Sequence, residues 1–369
     1  MKNSFGQSVI VTLFGESHGA AVGAVLDGMA PGIKVDMDYL RLKMSQRQAR
    51  GGISTPRHEP DEVKLVSGVF EGKTCGTPIC FIVENTNTKS ADYEKTKSLM
   101  RPGHADYTAQ CKYHGFQDYR GGGHFSGRVS AGLVAAGAVA QMALKNRGIS
   151  IATHIKYCAG ISDRALDPVK PSPEDMQALD CALFPVLDEE AAQRMQQAIK
   201  KAALSGDSVG GCLETVVTGL PAGVGEPWFD TLEGILAHGL FSIPAIKAVS
   251  FGAGFALADM TGSEANDPMR VCEGKVQALS NNAGGISGGI SSGMPLLFSC
   301  AVKPTPSIAK KQSTVDIAAM ENAELEIQGR HDPAVIHRAR AVVDAVTALC
   351  LCDMLALRYG TDYLAGDKE

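Results

Sequence analysis

A run of small residues in the first half of the chain is the sequence feature that most constrains its fold. Between Ser126 and Asn146, alanine and glycine alternate with leucine, valine and methionine. Small side chains let other elements approach a helix closely, and the apolar stretch is shorter and more interrupted than the roughly 20 residues of a membrane span. The pattern therefore predicts a helix buried in the core, with other elements packed tightly around it.

The composition is that of an ordinary globular protein. Apolar residues make up 44% of the 369 positions and charged residues 20%, which is typical of neither disordered nor membrane proteins. The formal net charge of −5 argues against a nucleic-acid partner, so an anionic ligand must be held by a local group of basic side chains. The N-terminus lacks a basic segment followed by an apolar one, so we expect a cytoplasmic protein with no membrane partner.

The cysteines form neither a disulfide nor a metal-binding pattern. The chain has 10 cysteines without a Cys-x-x-Cys pair. Cys350 and Cys352 lie two residues apart on a predicted helix, where side chains do not share a face. We therefore expect buried, reduced thiols and no metal site.

Strands, helices and glycine-rich loops alternate without an internal repeat or a compositional break. Strands are predicted over residues 8–14, 22–26, 63–70, 78–83, 149–157 and 212–217. Helices are predicted to begin at Asp36, Ser126, Ser172, Asp188 and Asp332. Residues 85–123 are polar and weakly periodic, which predicts a long loop of the kind that is often functional.

Two histidines lie in loops that suit acid–base chemistry on an anion. His18 stands in Gly15-Glu16-Ser17-His18-Gly19, where glycines permit close approach of a ligand and histidine can exchange a proton at cellular pH. His104 lies between Arg101 and Asp106, so one short loop contains a guanidinium, an imidazole and a carboxylate. A plain surface loop is the alternative for each.

Two glycine-rich segments could hold phosphate. Gly121-Gly122-Gly123 precedes the small-residue helix, whose first amides and Arg128 would suit an anion. An RNA-binding segment rich in arginine and glycine is the alternative. Residues 281–293 resemble a phosphate-cradling loop but lack the Lys-Ser/Thr of a Walker motif and the spacing of a dinucleotide motif.

Two further candidate positions lie at the ends of predicted helices. Arg47 and Arg50 close the first helix, where cations also favour the C-terminal carbonyls, so a solvated helix end explains them equally well. Asp332 and Pro333 suit the N-cap and first position of the last helix. A capping aspartate can still act as a base.

Together these segments resemble the chorismate synthase family. The matching motifs run in order along nearly the whole chain: Phe14-Gly15-Glu16-Ser17-His18-Gly19, Arg57-His58-Glu59-Pro60-Asp61, Ser67-Gly68-Val69-Phe70-Glu71-Gly72, Arg101-Pro102-Gly103-His104-Ala105-Asp106-Tyr107, Asp118-Tyr119-Arg120-Gly121-Gly122-Gly123, Ala283-Gly284-Gly285-Ile286, Lys303-Pro304-Thr305 and Gly329-Arg330-His331-Asp332-Pro333. The resemblance implies an α+β fold, a single-domain β-α-β sandwich with helices between antiparallel sheets. It also implies one domain over residues 1–369 and a homotetramer.

The resemblance further implies a reaction of the shikimate pathway. The family removes phosphate and the C6 hydrogen from 5-enolpyruvylshikimate 3-phosphate by 1,4-anti elimination and forms chorismate. The reaction requires reduced FMN, which donates an electron transiently and recovers it. NADPH would serve only as a source of reducing equivalents, and an external flavin reductase or a pool of reduced flavin would supply the cofactor.

The same resemblance assigns roles to individual residues. His18 matches the histidine that protonates the departing phosphate, His104 the one that protonates the reduced flavin near N1, and Asp332 the carboxylate that helps flavin N5 to remove the C6 proton. The substrate-binding positions are Arg47, Arg50, Arg101 and Arg128. The flavin-binding positions are His124, Phe125, Ser126, Pro244, Ala245, Gly288, Lys303, Pro304, Thr305, Pro306, Ser307 and Arg330.

The chain departs from the common family sequence at three places. Many members have three arginines before Pro-Gly where this chain has Gln46-Arg47-Gln48-Ala49-Arg50, and His124-Phe125 and Pro244 replace other residues. Two other functions remain open from the residues alone. One is a phosphohydrolase with His18 or His104 as nucleophile, and the other is a flavin- or RNA-binding protein without turnover.

Overall fold

A computed structural model describes residues 2–49, 51–55, 60–86, 97–327 and 332–366, which form eight α-helices and eighteen strands. The helices are α1 (Met37–Arg47), α2 (Asp106–Tyr113), α3 (Ser130–Asn146), α4 (Pro173–Cys181), α5 (Glu189–Leu204), α6 (Leu232–Phe241), α7 (Gly262–Ala265) and α8 (Ile336–Tyr359). The strands are β1 (Ser4–Phe5), β2 (Ile10–Gly15), β3 (Ala21–Asp27), β4 (Val63–Ser67), β5 (Val69–Phe70), β6 (Lys73–Thr74), β7 (Ile79–Glu84), β8 (Ser150–Cys158), β9 (Ile161–Ser162), β10 (Gly211–Thr218), β11 (Ile246–Phe251), β12 (Met269–Cys272), β13 (Lys275–Ala278), β14 (Ile286–Ser287), β15 (Ile290–Ser291), β16 (Leu296–Val302), β17 (Gln312–Asp316) and β18 (Glu321–Leu325).

Two antiparallel sheets of five strands each carry most of the fold. The first sheet has the order β1-β2-β3-β7-β4, and the second has the order β11-β16-β10-β8-β9. In the first sheet Val22 lies opposite Val83, and in the second Leu213 lies opposite Cys300. All four of these side chains are buried, so the register places apolar side chains between the layers.

Helices α3 and α8 fill the space between the two sheets. α3 packs on the first sheet, α8 packs on the second, and the two helices pack on each other. A methyl group on Gly137 would lie 2.3 Å from Cβ of Ala345. The two helices can therefore approach this closely only because position 137 has no side chain. A methyl group on Gly132 would lie 2.4 Å from the carbonyl carbon of Gly23 in β3. The predicted α+β sandwich and its buried small-residue helix are confirmed.

Among the described residues one apolar helix, spanning residues 127–146, is long enough to cross a membrane, so the expectation that this stretch is too short is wrong. Of its most apolar 18-residue window, 94% is buried inside the protein. Both sheets and α8 cover its faces. The helix therefore belongs to the core, as its small residues predict.

The predicted strands and most helix starts are confirmed, with small shifts in their bounds. Asp36, Ser172 and Asp188 each accept a hydrogen bond from a backbone amide of the first helical turn. These side chains satisfy amides that the helix itself leaves without partners. α3, in contrast, begins at Ser130, because a short 3-10 turn over residues 127–129 precedes it.

The last helix begins later than predicted. α8 starts at Ile336 and not at Asp332, and its N-cap position is occupied by Val335. The Pro333 carbonyl accepts a hydrogen bond from the amide of Val209 at 2.9 Å, and the Asp332 side chain turns towards Arg338. The capping role expected for Asp332 is therefore wrong, because both the carboxylate and the chain are engaged elsewhere.

The long loop expected over residues 85–123 is interrupted by α2. This helix has one buried residue, Ala109, and ends at His114, whose φ is 55°. A helix with one buried position shows little hydrophobic periodicity, which is why the sequence pattern missed it. Its first residue, Asp106, belongs to the predicted histidine loop.

The cysteines agree with the sequence analysis only in part. All ten are free thiols, and Cys350 and Cys352 are buried. Cys75, Cys111 and Cys181 are exposed, so the expectation that the thiols are buried is wrong for these three.

Replacing Gly137 by alanine should destabilise the protein by about 1–3 kcal/mol, because the added methyl group overlaps Ala345 and forces α3 and α8 apart. The urea midpoint of unfolding measures this change. Gly262→Ala is the matched control, since its methyl group would meet nothing within 4 Å. Equal stabilities of the two variants would show that the helix crossing has more room than the structure indicates.

Candidate active site

His18 lies in the turn between β2 and β3. The hydroxyl of Ser17 donates a hydrogen bond to the Arg120 carbonyl at 3.1 Å. Nδ1 of His18 lies 3.0 Å from the same hydroxyl oxygen. Because the single hydroxyl proton points to the carbonyl, Nδ1 must be the donor of this second bond. The neutral ring therefore carries its proton on Nδ1, and Nε2 is its basic nitrogen.

His104 is held by a carboxylate that is itself held by an arginine. Nδ1 of His104 lies 2.9 Å from Oδ1 of Asp106, and Arg101 donates to both oxygens of Asp106 at 2.7 Å. Burial disfavours the ionised carboxyl, but the hydrogen bonds from Arg101 and His104 outweigh burial and hold the pKa of Asp106 well below its usual range. Asp106 and Nη2 of Arg101, the latter at 3.2 Å, both contact Nδ1 of His104. This nitrogen is therefore engaged within the loop, and proton exchange with a ligand falls to Nε2.

The triple glycine lies between the two imidazoles. A methyl group on Gly121 would lie 2.2 Å from Cε1 of His18, and one on Gly122 would lie 3.0 Å from Cε1 of His104. The φ angles of these glycines are 60° and 88°, in a region that glycine adopts most readily. The Gly123 carbonyl accepts a hydrogen bond from the Ser17 amide at 3.1 Å. The glycine run thus brings the two predicted histidine loops to one place.

Part of the predicted flavin segment lies against the His104 loop. Lys303 donates a hydrogen bond to the Gly103 carbonyl, and a methyl group on Gly103 would lie 3.2 Å from Cβ of Pro306. The Lys303 amide donates to the Ala245 carbonyl at 2.9 Å, which brings Pro244 to the same region. The segment from Lys303 through Pro304 and Thr305 to Ser307 therefore enters the site beside His104.

Arg47 and Arg128 share a buried carboxylate that the sequence analysis did not single out. Arg47 donates to Oδ2 of Asp61 at 2.5 Å, and Arg128 donates to Oδ1. All three side chains are buried. Burial disfavours the ionised form of Asp61, but the two guanidinium groups keep its pKa below the usual range. Asp61 ends one of the motifs quoted above, so the signal was present but carried no chemical argument.

Asn85 joins this arginine pair to the His18 turn. Its side-chain oxygen accepts a hydrogen bond from Nε of Arg128 at 2.8 Å. Its side-chain nitrogen donates to the carbonyls of Glu16 and Gly19, each at 2.9 Å. Asn85 was also missed, since it lies at the start of the predicted loop.

Asp332 is linked to Arg47 through Arg338. Arg338 donates one hydrogen bond to the Asp332 carboxylate and another, at 2.8 Å, to the Arg47 carbonyl. Oδ1 of Asp332 is buried and accepts no hydrogen bond from the described part of the chain. Burial raises the pKa of Asp332 above its usual value despite the nearby Arg338. This carboxyl therefore takes up a proton more readily than an exposed aspartate.

The predicted flavin positions 124–126 make contacts within the protein. Nδ1 of His124 donates to the Gly15 carbonyl at 2.8 Å, which supports the His18 turn. The Phe125 ring packs edge-on against Tyr113 with centroids 6.0 Å apart. The Ser126 hydroxyl accepts a hydrogen bond from the Arg128 amide at 3.2 Å. These residues lie next to the histidine loops.

Within one chain, Gly288 lies far from the other predicted flavin-binding positions. It forms the turn between β14 and β15 with a φ of 63°. The neighbouring Gly284 carbonyl accepts from the Leu297 amide, at the start of β16, whereas Lys303 follows the end of that strand. Seven residues of strand separate the two ends by about 20 Å. The predicted Arg50 and Arg330 lie outside the described residues.

His337 is a buried histidine of α8 that contacts the segment after α1. Its Nε2 lies 2.8 Å from the Ser54 hydroxyl, and its Nδ1 is buried without a hydrogen-bond partner among the described residues. Burial lowers the pKa of His337 to about 3. The ring is therefore neutral in the folded protein at every physiological pH.

His337 should make the protein sensitive to acid. The unfolded chain binds a proton near pH 6.5, whereas the folded chain binds it near pH 3. The stability from this group is thus full above pH 6.5 and falls by about 1.4 kcal/mol per pH unit as the pH drops below it. Urea unfolding at pH 7, 6 and 5 measures the slope.

His337→Gln should remove this part of the slope, whereas His114→Asn, a change at an exposed position, should retain it. A wild-type slope in His337→Gln would mean that the ring is protonated in the folded state.

Comparisons with known proteins show which family the chain resembles. The sequence profile described as chorismate synthase matches residues 9–356. The chorismate synthase of Dehalococcoides mccartyi is 45% identical over 362 residues, 98% of each chain. That of Thermococcus gammatolerans is 45% identical over 353 residues, 96% of this chain and 97% of its own. A solved structure described as a crystal structure of chorismate synthase has a TM-score of 0.75 at 26% identity and covers 97% of this chain and 94% of its own.

A family match over most of the chain, relatives of nearly equal length and a shared α+β fold lead to one conclusion. This chain belongs to the chorismate synthase family.

Proposed function

We propose that this chain converts 5-enolpyruvylshikimate 3-phosphate to chorismate by 1,4-anti elimination of phosphate and the C6 hydrogen, with reduced FMN as cofactor. Family membership makes it an enzyme, a lyase of aromatic biosynthesis. The observation that carries the specific proposal is the meeting of His18 and His104 at Gly121 and Gly122.

The buried charges near Asp332 suit a substrate with two carboxylates and a phosphate. Three guanidinium groups, on Arg47, Arg128 and Arg338, are linked to one another, and within the described residues they pair with the carboxylates of Asp61 and Asp332. Nε of Arg47 is buried without a hydrogen-bond partner among the described residues. A buried guanidinium N–H without a partner is costly, and an anionic ligand that accepts its hydrogen bond offsets that cost. Arginine remains charged in such surroundings and binds oxyanions in pairs.

His18 is held in the state that a proton donor needs after donation. A protonated imidazole carries protons on both nitrogens, and loss of the Nε2 proton leaves the ring with its proton on Nδ1. Ser17 accepts a hydrogen bond from that Nδ1. The turn thus stabilises the form that remains once Nε2 has delivered a proton to departing phosphate.

His104 and Asp332 differ in their surroundings. Nδ1 of His104 lies 2.9 Å from Oδ1 of Asp106, and this contact orients the ring. Burial of Asp332 favours its neutral form, so its carboxylate is a stronger base than that of an exposed aspartate. A positioned imidazole and a carboxylate of raised pKa suit the proton transfers that we propose.

The residues beside His104 fit the flavin. Thr305 has a buried hydroxyl without a hydrogen-bond partner among the described residues, and Lys303 supplies a cation next to it. We propose that these two residues, with Pro306, Ser307 and the Pro244-Ala245 turn, hold FMN. Bound reduced FMN supplies an electron transiently and recovers it. NADPH or a separate reductase would act only in reducing the flavin.

We also propose a homotetramer of single-domain chains, located in the cytoplasm. Trp228, Phe229 and Phe255 are 84%, 97% and 87% exposed, and large aromatic side chains on a surface favour association. Residues from the first strands to the start of α8 contribute to one site, which supports one domain. Ten free thiols suit a reducing compartment.

An anaerobic assay of 5-enolpyruvylshikimate 3-phosphate with and without reduced FMN tests the function. We expect chorismate absorbance and phosphate to appear together, and only with reduced FMN. Phosphate release without FMN would instead support the phosphohydrolase. No turnover in either condition would support a binding protein.

His18→Ala and His104→Ala should each lower kcat by about 100-fold or more, because each removes a positioned proton carrier. Unfolding midpoints should remain near that of the wild type, since both changes affect loops. Wild-type kcat in either variant would remove that histidine from the proposed mechanism.

Gly121→Ala should lower kcat strongly, because its methyl group would lie 2.2 Å from the His18 ring and displace it. Gly160→Ala is the matched control. Gly160 also has a positive φ, of 78°, but its methyl group would meet nothing within 4 Å. If both variants retain wild-type kcat, the close approach of the glycine to His18 has no part in turnover.

A further inference from the structure

We infer that Asn85 is a positioning residue that fixes the His18 turn and the Arg128 guanidinium in a single arrangement. The inference deepens the proposed function and rests on it, since His18 and Arg128 matter for turnover only if that function holds. Asn85 acts through these two groups.

The carboxamide of Asn85 reaches both ends of the turn that carries His18. Glu16 and Gly19 flank Ser17 and His18, and the Gly19 amide closes the turn on the Glu16 carbonyl at 3.1 Å. The two side-chain N–H groups of Asn85 donate to these two carbonyls, each at 2.9 Å. The backbone amide of Asn85 donates to the next carbonyl, that of Ala20, at 3.1 Å. Asn85 therefore holds the turn through hydrogen bonds to three of its carbonyls, those of Glu16, Gly19 and Ala20.

The oxygen of the same carboxamide sets the rotation of Arg128. The terminal nitrogens of this guanidinium donate to the Asp61 carboxylate and to the Glu84 carbonyl. The Nε–H donates to Oδ1 of Asn85 at 2.8 Å. Because a guanidinium is planar and its N–H groups diverge in fixed directions, three acceptors on different sides leave it one orientation.

Only a carboxamide of this length meets both demands. A carboxylate offers an acceptor to Arg128 but no proton to the carbonyls of Glu16 and Gly19. A hydroxyl offers one donor for the two carbonyls. The two functions of Asn85 can therefore be separated by substitution, because Asn85→Asp retains the contact with Arg128 and loses the contacts with the turn.

Steady-state kinetics of Asn85→Asp and Asn85→Ala test the inference. Asn85→Asp should lower kcat by about 100-fold, the loss that follows a displacement of a catalytic group by roughly 1 Å, with KM changed less than about 3-fold. Asn85→Ala should lower kcat similarly and also raise KM by about 10-fold, because Arg128 loses a hydrogen bond that fixes it. Wild-type kcat in Asn85→Asp would overturn the inference, and so would equal changes of KM in both variants.

Thr153→Val is the matched control. Thr153 is buried in β8, and its side-chain hydroxyl forms two hydrogen bonds, with the Asp344 carboxylate at 2.6 Å and with the Thr215 hydroxyl at 2.7 Å. It lies in the second sheet, whereas the His18 turn joins two strands of the first. We expect a lower unfolding midpoint with unchanged kcat. If kcat falls as much in this variant as in Asn85→Asp, the effect is one of stability and the inference is wrong.

Nuclear magnetic resonance of protein labelled with ¹⁵N-histidine gives a readout that does not need turnover. In the wild type the neutral His18 ring should carry its proton on Nδ1, and Asn85→Asp should change the proportion of the two tautomers or the titration midpoint. An unchanged His18 signal would overturn the inference. If the wild type shows this signal but no chorismate forms with reduced FMN, the proposed function has failed and the positioning role is still tested.

Discussion

The site depends on a steric constraint at two adjacent glycines. His18 and His104 come from loops that are far apart in the sequence, and both rings contact the backbone at Gly121 and Gly122. A hydrogen atom at each Cα leaves room for an imidazole, whereas a methyl group on Gly121 would overlap the His18 ring and one on Gly122 would crowd the His104 ring. The positive φ angles of the run also turn the Gly123 carbonyl towards the Ser17 amide, and the Ser17 hydroxyl contacts the His18 ring. The proposed acid–base chemistry therefore depends on the lack of side chains at positions 121 and 122.

The surrounding fold supplies rigid attachment points for these loops. The His18 turn joins two central strands of the first sheet, and Arg128 lies just before α3, the helix that packs on that sheet. Asp332 and Arg338 flank the start of α8, which packs on the second sheet. The close crossing of α3 and α8 at Gly137 joins the two halves, so residues from both sheets keep fixed positions relative to one another.

Sequence reasoning found the features that depend on neighbouring residues and missed the contacts between residues that only the fold brings together. The small-residue helix, the strands and the caps at Asp36, Ser172 and Asp188 follow from side-chain size, periodicity and hydrogen bonding within a few residues. Asp61 and Asn85 could not be found in this way, because their partners lie far along the chain. For Asp332 a local argument, helix capping, was wrong, since its carboxylate pairs with Arg338, six residues further on, and the distant Val209 binds the carbonyl of Pro333.

Burial of the arginine pair affects how the protein discriminates among anions. With a net charge of −5, the molecule as a whole repels a multiply charged anion at long range, and dissolved ions weaken that repulsion. Arg47, Arg128 and Asp61 are buried, where mobile ions penetrate little. Electrostatic attraction to these arginines therefore acts only after an anionic ligand has lost its hydration water and reached them. Selection of the anion consequently depends on its shape and dehydration and little on ionic strength, which distinguishes this buried arginine pair from a basic surface patch.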